Sequence, residues 1–495
     1  MTRAGSEPAD VLVVGAGPVG LALAIDLARR GVAVRVIDEL PAPTTESRAI
    51  AIHSRSLDHL QALGVLDDLL ERGVLALGMD FHDNGRVTAR VSFEQIEAVH
   101  RFSLSIAQTE TEAVLTARLA GLGVTIERDA TLTGLTQDEA GVTATIRGRG
   151  GSASARVQYL VGTDGARSTV RHLIGEKLEG SFTGEDFLIG DVEADYDLER
   201  SRFHTFFSPG ASTGLLFPLP GDRVRVFAEL PPGTDPERPA TLDWLQEALD
   251  ERGMPVRVRS AHWLTRFELK HGQVQRYRLG RVFLAGDAAH IHSPAGGLGM
   301  NTGIQDALNL GWKLARAVSG TASEALLESY HRERHPVAAE VIAFTTRLSR
   351  AGTLQSPVAR QVRNTLMHFG LQVPAIAERI ADTVEQQSVH YRESPIVSGR
   401  GRSIRAGDFL FAPGAAVADA LAHAPDHVAV RMPDATEPLP DTIPELAMAR
   451  PDAATLGDAV GLRDGGFVVV RPDGYVGAIA GDREAVDAYL ARLGG

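Results

Sequence analysis

Cysteine is absent from the 495 residues of the chain. That excludes disulfides, zinc–thiolate sites, iron–sulfur clusters and thiol nucleophiles. Long hydrophobic runs are missing too: no stretch approaches the ~20 apolar residues that a membrane helix needs. The single imitation of a signal peptide, Val11 to Ile25, is interrupted by glycines and follows Glu7 and Asp10, where positive charge would be expected. Positive charge is in the minority, with 50 Lys and Arg against 63 Asp and Glu and a formal net charge of -13. Such a chain is a poor partner for nucleic acid or an anionic membrane. Any phosphate it binds must be held by local backbone dipoles and a few arginines. A cytoplasmic protein is the expectation. With 44% hydrophobic residues there is enough for a sizeable core, and the length suggests roughly three domains.

What is present begins at Asp10. Val11 to Val14 is a short β-branched run suited to a buried parallel strand. Gly15-Ala-Gly-Pro-Val-Gly20 follows, then a helical stretch from Leu21 to Gly31, then a second apolar run from Val32 to Ile37 that ends at Asp38. Gly15 permits a tight turn, Gly17 lets the backbone approach a pyrophosphate, and Gly20 lets helix and strand pack closely. Pro18 and Val19 open the helix, whose N-terminus offers partial positive charge to phosphates. Asp38 stands close to the roughly 20-residue offset of a ribose-binding acid. Glu39 is the alternative acceptor. These parts together predict a dinucleotide site without separating FAD from NAD.

Two later segments select the flavin. In Tyr159-Leu-Val-Gly-Thr-Asp-Gly-Ala-Arg-Ser-Thr-Val-Arg171, an apolar run enters a glycine turn carrying Asp164, and a helix begins near Ser168. Taken alone this is also a strand, turn and helix cap. Arg281 to Leu284 leads to Gly286-Asp287, and then to Pro294 and the loop Ala295-Gly-Gly-Leu-Gly-Met-Asn-Thr-Gly303. A helix comes next, with Ile304, Ala307, Leu308, Gly311, Leu314, Ala315 and Val318 along one face. Asp287 suits ribityl hydroxyls. Gly296, Gly297 and Gly299 let N–H groups approach an isoalloxazine ring, and Met300 and Asn301 border it. A helix N-terminus there favours the anionic reduced flavin.

These three segments, in order and spacing over about residues 10 to 320, resemble the class A FAD-dependent aromatic hydroxylases, the family of p-hydroxybenzoate hydroxylase and the aromatic polyketide hydroxylases. The resemblance implies an α/β fold. Its Rossmann-like FAD-binding domain would comprise 1–75, 101–180 and 273–395, with an inserted antiparallel substrate sheet at 76–100 and 181–272 and a small thioredoxin-like C-terminal domain at 396–495. It implies that Arg48 reaches the FAD phosphates, that Gln108 touches the cofactor, and that the backbone of Pro294 and Gly297 lies at the reacting edge. It also implies FAD as cofactor and NADPH or NADH as a transient co-substrate. The oxygen of O2 would then pass to an aromatic ring through a flavin C4a-hydroperoxide. A second dinucleotide loop is not found, in keeping with a nicotinamide that only visits.

Strand-like runs at Phe203–Phe207, Thr213–Phe217 and Arg223–Leu230 are separated by turn signals. Met79, Phe206, Phe217 and Phe227 are candidate pocket walls, although core packing is their ordinary role. Arg223, Arg225 and Lys270 show no clustering, which argues against an arginine clamp for a small carboxylate and for a bulky neutral phenolic or polycyclic substrate. Pro336, Pro357 and Pro374 mark expected helix breaks or starts. Gly465 to Ile479 reads as a hairpin, followed by a helix from Asp482 to Leu493. His290 and His292 invite a metal reading, but without a carboxylate cluster nearby no metal is expected. Monomer and homodimer both stay open. So do a Baeyer–Villiger or epoxidising enzyme on the same fold, a plain NAD-dependent dehydrogenase, and a non-catalytic flavin or small-molecule binding protein.

Overall fold

The computed structural model describes residues 9–494 except 48, 84, 181–184, 209–210, 232, 270, 294–295, 353–369, 371–372, 411–413, 424–425, 447, 449 and 463–464. Arg48, Pro294, Lys270 and Pro357 therefore lie outside the described residues.

The β-branched runs form the centre of a six-stranded sheet. Its order is Arg278–Leu279, Val282–Leu284, Tyr159–Gly162, Val11–Val14, Val34–Ile37 and Ile126–Glu127. All neighbours are parallel except the first pair. Buried parallel strands need helices on their faces. Pro18–Arg29 lies on the strands Val11–Val14 and Val34–Ile37, and Leu298–Val318 packs on that helix. Glycine decides how closely they pack: a Cβ on Gly303 would sit 2.5 Å from Val19 Cγ2, and one on Gly311 would sit 2.3 Å from Asp26 Oδ2.

A seven-stranded sheet runs Val256–Leu269, Glu185–Tyr196, Arg223–Glu229, Ala211–Pro218, Phe203–Ser208, Gly78–Asp83 and Arg86–Ser92. It is not wholly antiparallel, as expected from the hairpin signals. Phe203–Ser208 and Gly78–Asp83 run parallel, because the two strands come from segments far apart in the chain rather than from a hairpin. Alternation gives this sheet two apolar faces. Met79, Phe81, Phe203, Phe207, Phe217 and Phe227 share one with Ile50 and Ala51, whereas Phe206 and Leu216 share the other with Trp244 and Leu245 of a covering helix.

A three-stranded antiparallel sheet at Thr131–Asp138, Gly141–Gly148 and Gly151–Val157 was not foreseen. Helix Glu324–Gly352 runs through Pro336 instead of breaking there, forgoing one ladder hydrogen bond while buried contacts at Val337 and Ala338 hold both halves. Pro374 does open a helix, Pro374–Val384. Near the C-terminus a four-stranded sheet follows the order Glu445–Leu446, Val428–Arg431, Phe467–Val470, Val476–Ala480. Helix Arg483–Leu493 packs on it, capped by Asp482, whose side chain accepts from Ala485 N–H.

Candidate flavin site

Gly15, at the carboxyl end of the first strand, has φ +105°, and a Cβ there would lie 2.5 Å from Thr163 O. Thr163 Oγ1 donates to the carbonyls of Val14 and Gly15, tying the first loop to the turn that carries Asp164. Gly17 is the N-cap of the first helix, and its missing Cβ faces open space. Backbone N–H groups there are free to meet phosphate oxygens. Asp38 Oδ2 accepts from Ala16 N–H at 2.7 Å, which puts the carboxylate against the glycine loop. Glu39 is exposed, so position favours Asp38.

Gln108 begins a helix and braces the segment around residue 48. Its Oε1 accepts from Ala49 N–H at 2.9 Å, and its own N–H donates to Ser47 Oγ at 2.9 Å. Asp164 is largely spent on its own turn: Ser168 Oγ donates to one oxygen and Val170 N–H to the other. Burial raises this carboxyl above its ordinary value. Its side chain is thus a cap, and its contribution to the site is its backbone against Gly15.

At the third segment Gly286 has φ +59° and packs on Val19. Asp287, next to it, is exposed at the carboxyl end of strand Val282–Leu284. Gly296 and Gly297 have φ +87° and +67°, and Gly297 is the N-cap of a 21-residue helix. Gly299 differs from these two. It is not a loop glycine but the second residue of that helix, with ordinary negative φ. A Cβ on Gly299 would meet His292 Cε1 at 3.7 Å, which is normal van der Waals contact. The fold therefore tolerates a methyl group at Gly299, and only its N–H, in the open first turn, can serve a ring. Among the described residues no side chain caps that end. Its first N–H groups are available to an electron-rich ring edge. Asn301 does not turn to that space, since its Nδ2 donates to the carbonyls of Ala51 and Gly297 and its Oδ1 accepts from His53 N–H. Met300 packs into the core. Val19 likewise serves as packing between Gly286 and Gly303.

Of the four expected pocket walls, Met79, Phe217 and Phe227 share the apolar face that continues to Ala51, whose Cβ lies 3.2 Å from the position a Gly297 Cβ would take. Phe206 does not. Strand alternation turns it to the opposite face, where it stacks on His82. The expectation that Arg223 and Arg225 do not cluster is corrected by the structure. Arg223 and Arg225 do cluster, both donating to Asp191 Oδ2, because the antiparallel register sets Asp191 opposite Arg225. His290 gives its Nε2 to Asp306 at 2.7 Å, and burial together with His290 pushes His292 down to about 4. Among the described residues, metal-ligand spacing occurs at Asp80, His82 and His204. The carboxylate there is engaged by Arg202 and Arg90, and the two imidazoles bond each other at 3.1 Å. A groove of about 520 Å³ beside Tyr159, Arg278 and Arg281 lies at the amino-terminal edge of the six-stranded sheet, the wrong edge for a ligand in such folds.

The glycine loop with the carboxylate of Asp38 against it and an uncapped helix N-terminus meet at the carboxyl edge of one parallel sheet, an arrangement that suits a dinucleotide-binding flavoprotein. The FAD binding domain family matches residues 8–345. The 6-methylpretetramide 4-monooxygenase of Streptomyces rimosus is 35% identical over 528 residues, covering 98% of this chain and 92% of that protein. Rifampicin monooxygenase of Streptomyces venezuelae is 43% identical over 344 residues, 68% of this chain and 70% of that one. The solved structure of OxyS anhydrotetracycline hydroxylase from Streptomyces rimosus superposes with a TM-score of 0.80 at 29% identity, covering 99% of both chains. The chain belongs to the FAD-dependent aromatic monooxygenases, with FAD as cofactor and NAD(P)H as co-substrate.

Replacing Asp287 by alanine is expected to weaken FAD binding about 10- to 100-fold, the worth of one hydrogen bond to a charged group. Stability should move by less than about 0.5 kcal/mol, because the residue is exposed. FAD titration beside thermal unfolding checks this, and equal FAD affinity removes Asp287 from the site.

Proposed function

We propose that the enzyme hydroxylates a bulky, largely uncharged polycyclic aromatic of polyketide type. The observation that carries this is the aromatic face formed by Met79, Phe81, Phe203, Phe217 and Phe227, continuous with Ile50 and Ala51 beside the flavin loop. At its margin Arg225 is fully buried beside Trp263, and its Nε and Nη1 lack a hydrogen-bond partner among the described residues, as does Asp191 Oδ1. Arg225 is paired with Asp191, and Arg223, which shares that carboxylate, is partly exposed to solvent, so Arg225 is not a free clamp for an anion. Open donors next to an open acceptor fit a carbonyl beside a hydroxyl on an otherwise apolar ring system. The relatives' names, which include pretetramide, anhydrotetracycline and rifampicin, support the same substrate class.

Bound FAD, reduced by NAD(P)H and charged with O2, supplies an electrophilic oxygen to an electron-rich ring carbon. The protein's own tasks are to bind, orient and exclude water. Gly15, Gly17 and Gly20 with Asp38 hold the dinucleotide. Asp287 and the N–H groups after Gly297, that of Gly299 among them, hold the flavin end, with Arg48, Gln108 and the Pro294 backbone completing the site as the family resemblance implies. The apolar face keeps water from the reacting edge, where it would divert oxygen to peroxide. In this reading 76–100 and 181–272 form the substrate domain. The C-terminal unit is thioredoxin-like, supported by its ββαββα order from Val428 to Leu493, with the first two strands parallel and the last two antiparallel; lacking cysteine, it serves packing or oligomerisation. The enzyme works in the cytoplasm as a monomer or homodimer.

Oxygen and NAD(P)H consumption against phenols and aromatic polyketides, with product mass and peroxide both counted, tests this reading. Turnover that yields peroxide alone with every polycycle defeats it. Arg225→Lys keeps the charge but loses the fork. It is expected to raise the Kd of an oxygenated polycycle about tenfold and leave FAD retention unchanged, read from the substrate-induced change in flavin absorbance.

A further inference from the structure

His53, Ser103 and Glu385 come from three distant segments and meet in the core, each no more than 1% exposed. They form a line to the flavin loop. Glu385 Oε1 lies 2.6 Å from Ser103 Oγ, Ser103 Oγ lies 2.7 Å from His53 Nδ1, and His53 Nε2 lies 2.7 Å from the carbonyl oxygen of Gly296. Both ends of the line are acceptors. Three hydrogen bonds need three protons on the line, whereas a neutral imidazole, a hydroxyl and a carboxylate supply two. The line therefore holds one more. Its location follows from the other carboxylate oxygen. Glu385 Oε2 accepts from Ser54 N–H at 2.6 Å, at the N-terminus of helix Ser54–Ala62, where an anion is favoured. The carboxylate keeps its charge, and the proton belongs to His53.

We propose that His53 is a buried imidazolium and a positioning residue. Ser103 and Glu385 keep it charged, and it clamps the flavin loop through Gly296 O while adding a fixed positive charge beside the uncapped N-terminus at Gly297. Asn301 grips the next carbonyl, Gly297 O, so both loop carbonyls are tied back and the loop N–H groups stay free. A fixed cation there favours the anionic, reduced flavin over the oxidised form. The charge on His53 stands on the count of hydrogen bonds and on the helix N-terminus that favours an anionic Glu385, while its effect on the flavin rests on the function proposed above.

The experiment separates the two. Nitrogen-15 NMR of histidine-labelled, FAD-loaded full-length protein at pH 8, with the His53 signal assigned by its loss in His53→Gln, is expected to show both ring nitrogens protonated. In Glu385→Gln and Ser103→Ala the ring should become neutral. A neutral His53 in the unaltered protein overturns the proposal, whatever the flavin does. His53→Gln keeps a donor for Gly296 O without the charge. It should retain FAD, yet lower the ratio of reduced to oxidised FAD affinity about tenfold, read as a more negative flavin potential. An unchanged potential in a flavin-replete His53→Gln protein refutes the electrostatic role. Failure of the unaltered protein to bind FAD would refute the function reading, and the same NMR measurement on that FAD-free protein would still decide the charge on His53.

Discussion

Gly20→Val is expected to purify colourless. The position of a Cβ on Gly20 is 2.0 Å from Gly15 O and 2.6 Å from Thr163 Oγ1. Neither neighbour can yield: Gly15 O is backbone at φ +105°, and Thr163 Oγ1 is bonded to two carbonyls. Even a methyl group must push the helix N-terminus off the loop. Overpacking of this kind costs about 1–3 kcal/mol. The larger effect falls on the cofactor, because the loop N–H groups proposed to meet the pyrophosphate move with the loop. Losing two charge-assisted hydrogen bonds lowers affinity by about 10²- to 10⁴-fold. Gly17→Ala makes the control. Its Cβ meets nothing within 4 Å, so stability should hold while the methyl group enters the space left for phosphate. The measurement is the ratio of flavin to protein absorbance after purification, with thermal unfolding of both variants. Full flavin occupancy in Gly20→Val would sink the dinucleotide assignment of this loop.

The glycine segments were legible because each is a local pattern whose residues do local work. Strand, turn and helix are contiguous at Val11–Arg29 and again at Val282–Val318, so spacing along the chain reports spacing in the fold. What spacing could not report is where the loop ends and the helix begins, which is why Gly299 looked like a loop glycine. The aromatic strands were legible as strands but not as faces. Phe206 and Phe207 are neighbours in sequence and point to opposite sides, and only the pairing of Phe203–Ser208 with Gly78–Asp83 says which side meets the flavin loop. Pro336 misled for a related reason: tertiary burial of the surrounding helix outweighed one missing hydrogen bond.

The polar parts of the site were illegible for a different reason. Arg225 and Asp191 lie on adjacent strands far apart in sequence, and their clustering is a property of register. His53, Ser103 and Glu385 come from three remote segments, and no local pattern around any of them marks it out, so a satisfied core residue is the ordinary expectation. Asp164 stood out in its glycine turn, and yet its carboxylate turned out to be bonded to its own loop.

Glu333→Gln is expected to destabilise the protein by about 3–5 kcal/mol, although Glu333 touches neither the glycine loops nor the aromatic face. Its carboxylate accepts from Lys313 Nζ, Arg471 Nη1 and Nη2, Asn309 Nδ2 and Ser394 Oγ. Asp473 completes the group by accepting from Arg471 and from Trp312 Nε1. Two cations and two anions balance, with side chains no more than 1% exposed. They join the flavin-loop helix, helix Glu324–Gly352 and the turn of the C-terminal hairpin. Neutralising Glu333 leaves Lys313 and Arg471 buried against one carboxylate. Burial already pushes Lys313 down to about 8 against the pull of Glu333, and without Glu333 it falls further and sheds its proton near neutrality. The pH dependence follows from the direction of each shift. Burial alone would raise Glu333, but Arg471 and Lys313 outweigh it and hold the carboxyl below its ordinary 4.5. Its contribution is therefore present above about pH 4.5 and is lost as pH falls through its folded value. Lys313, depressed from 10.5, makes the opposite contribution: the unfolded chain keeps that proton longer, so stability rises between about pH 8 and 10.5. Urea unfolding from pH 3 to 10, followed by tryptophan fluorescence, should show a steeper acid limb in the unaltered protein than in Glu333→Gln. Identical acid limbs would mean that Glu333 carries no charge-dependent share of the stability. A loss under about 1 kcal/mol at pH 7 would mean that the C-terminal hairpin is held to the flavin-loop helix by its apolar contacts alone.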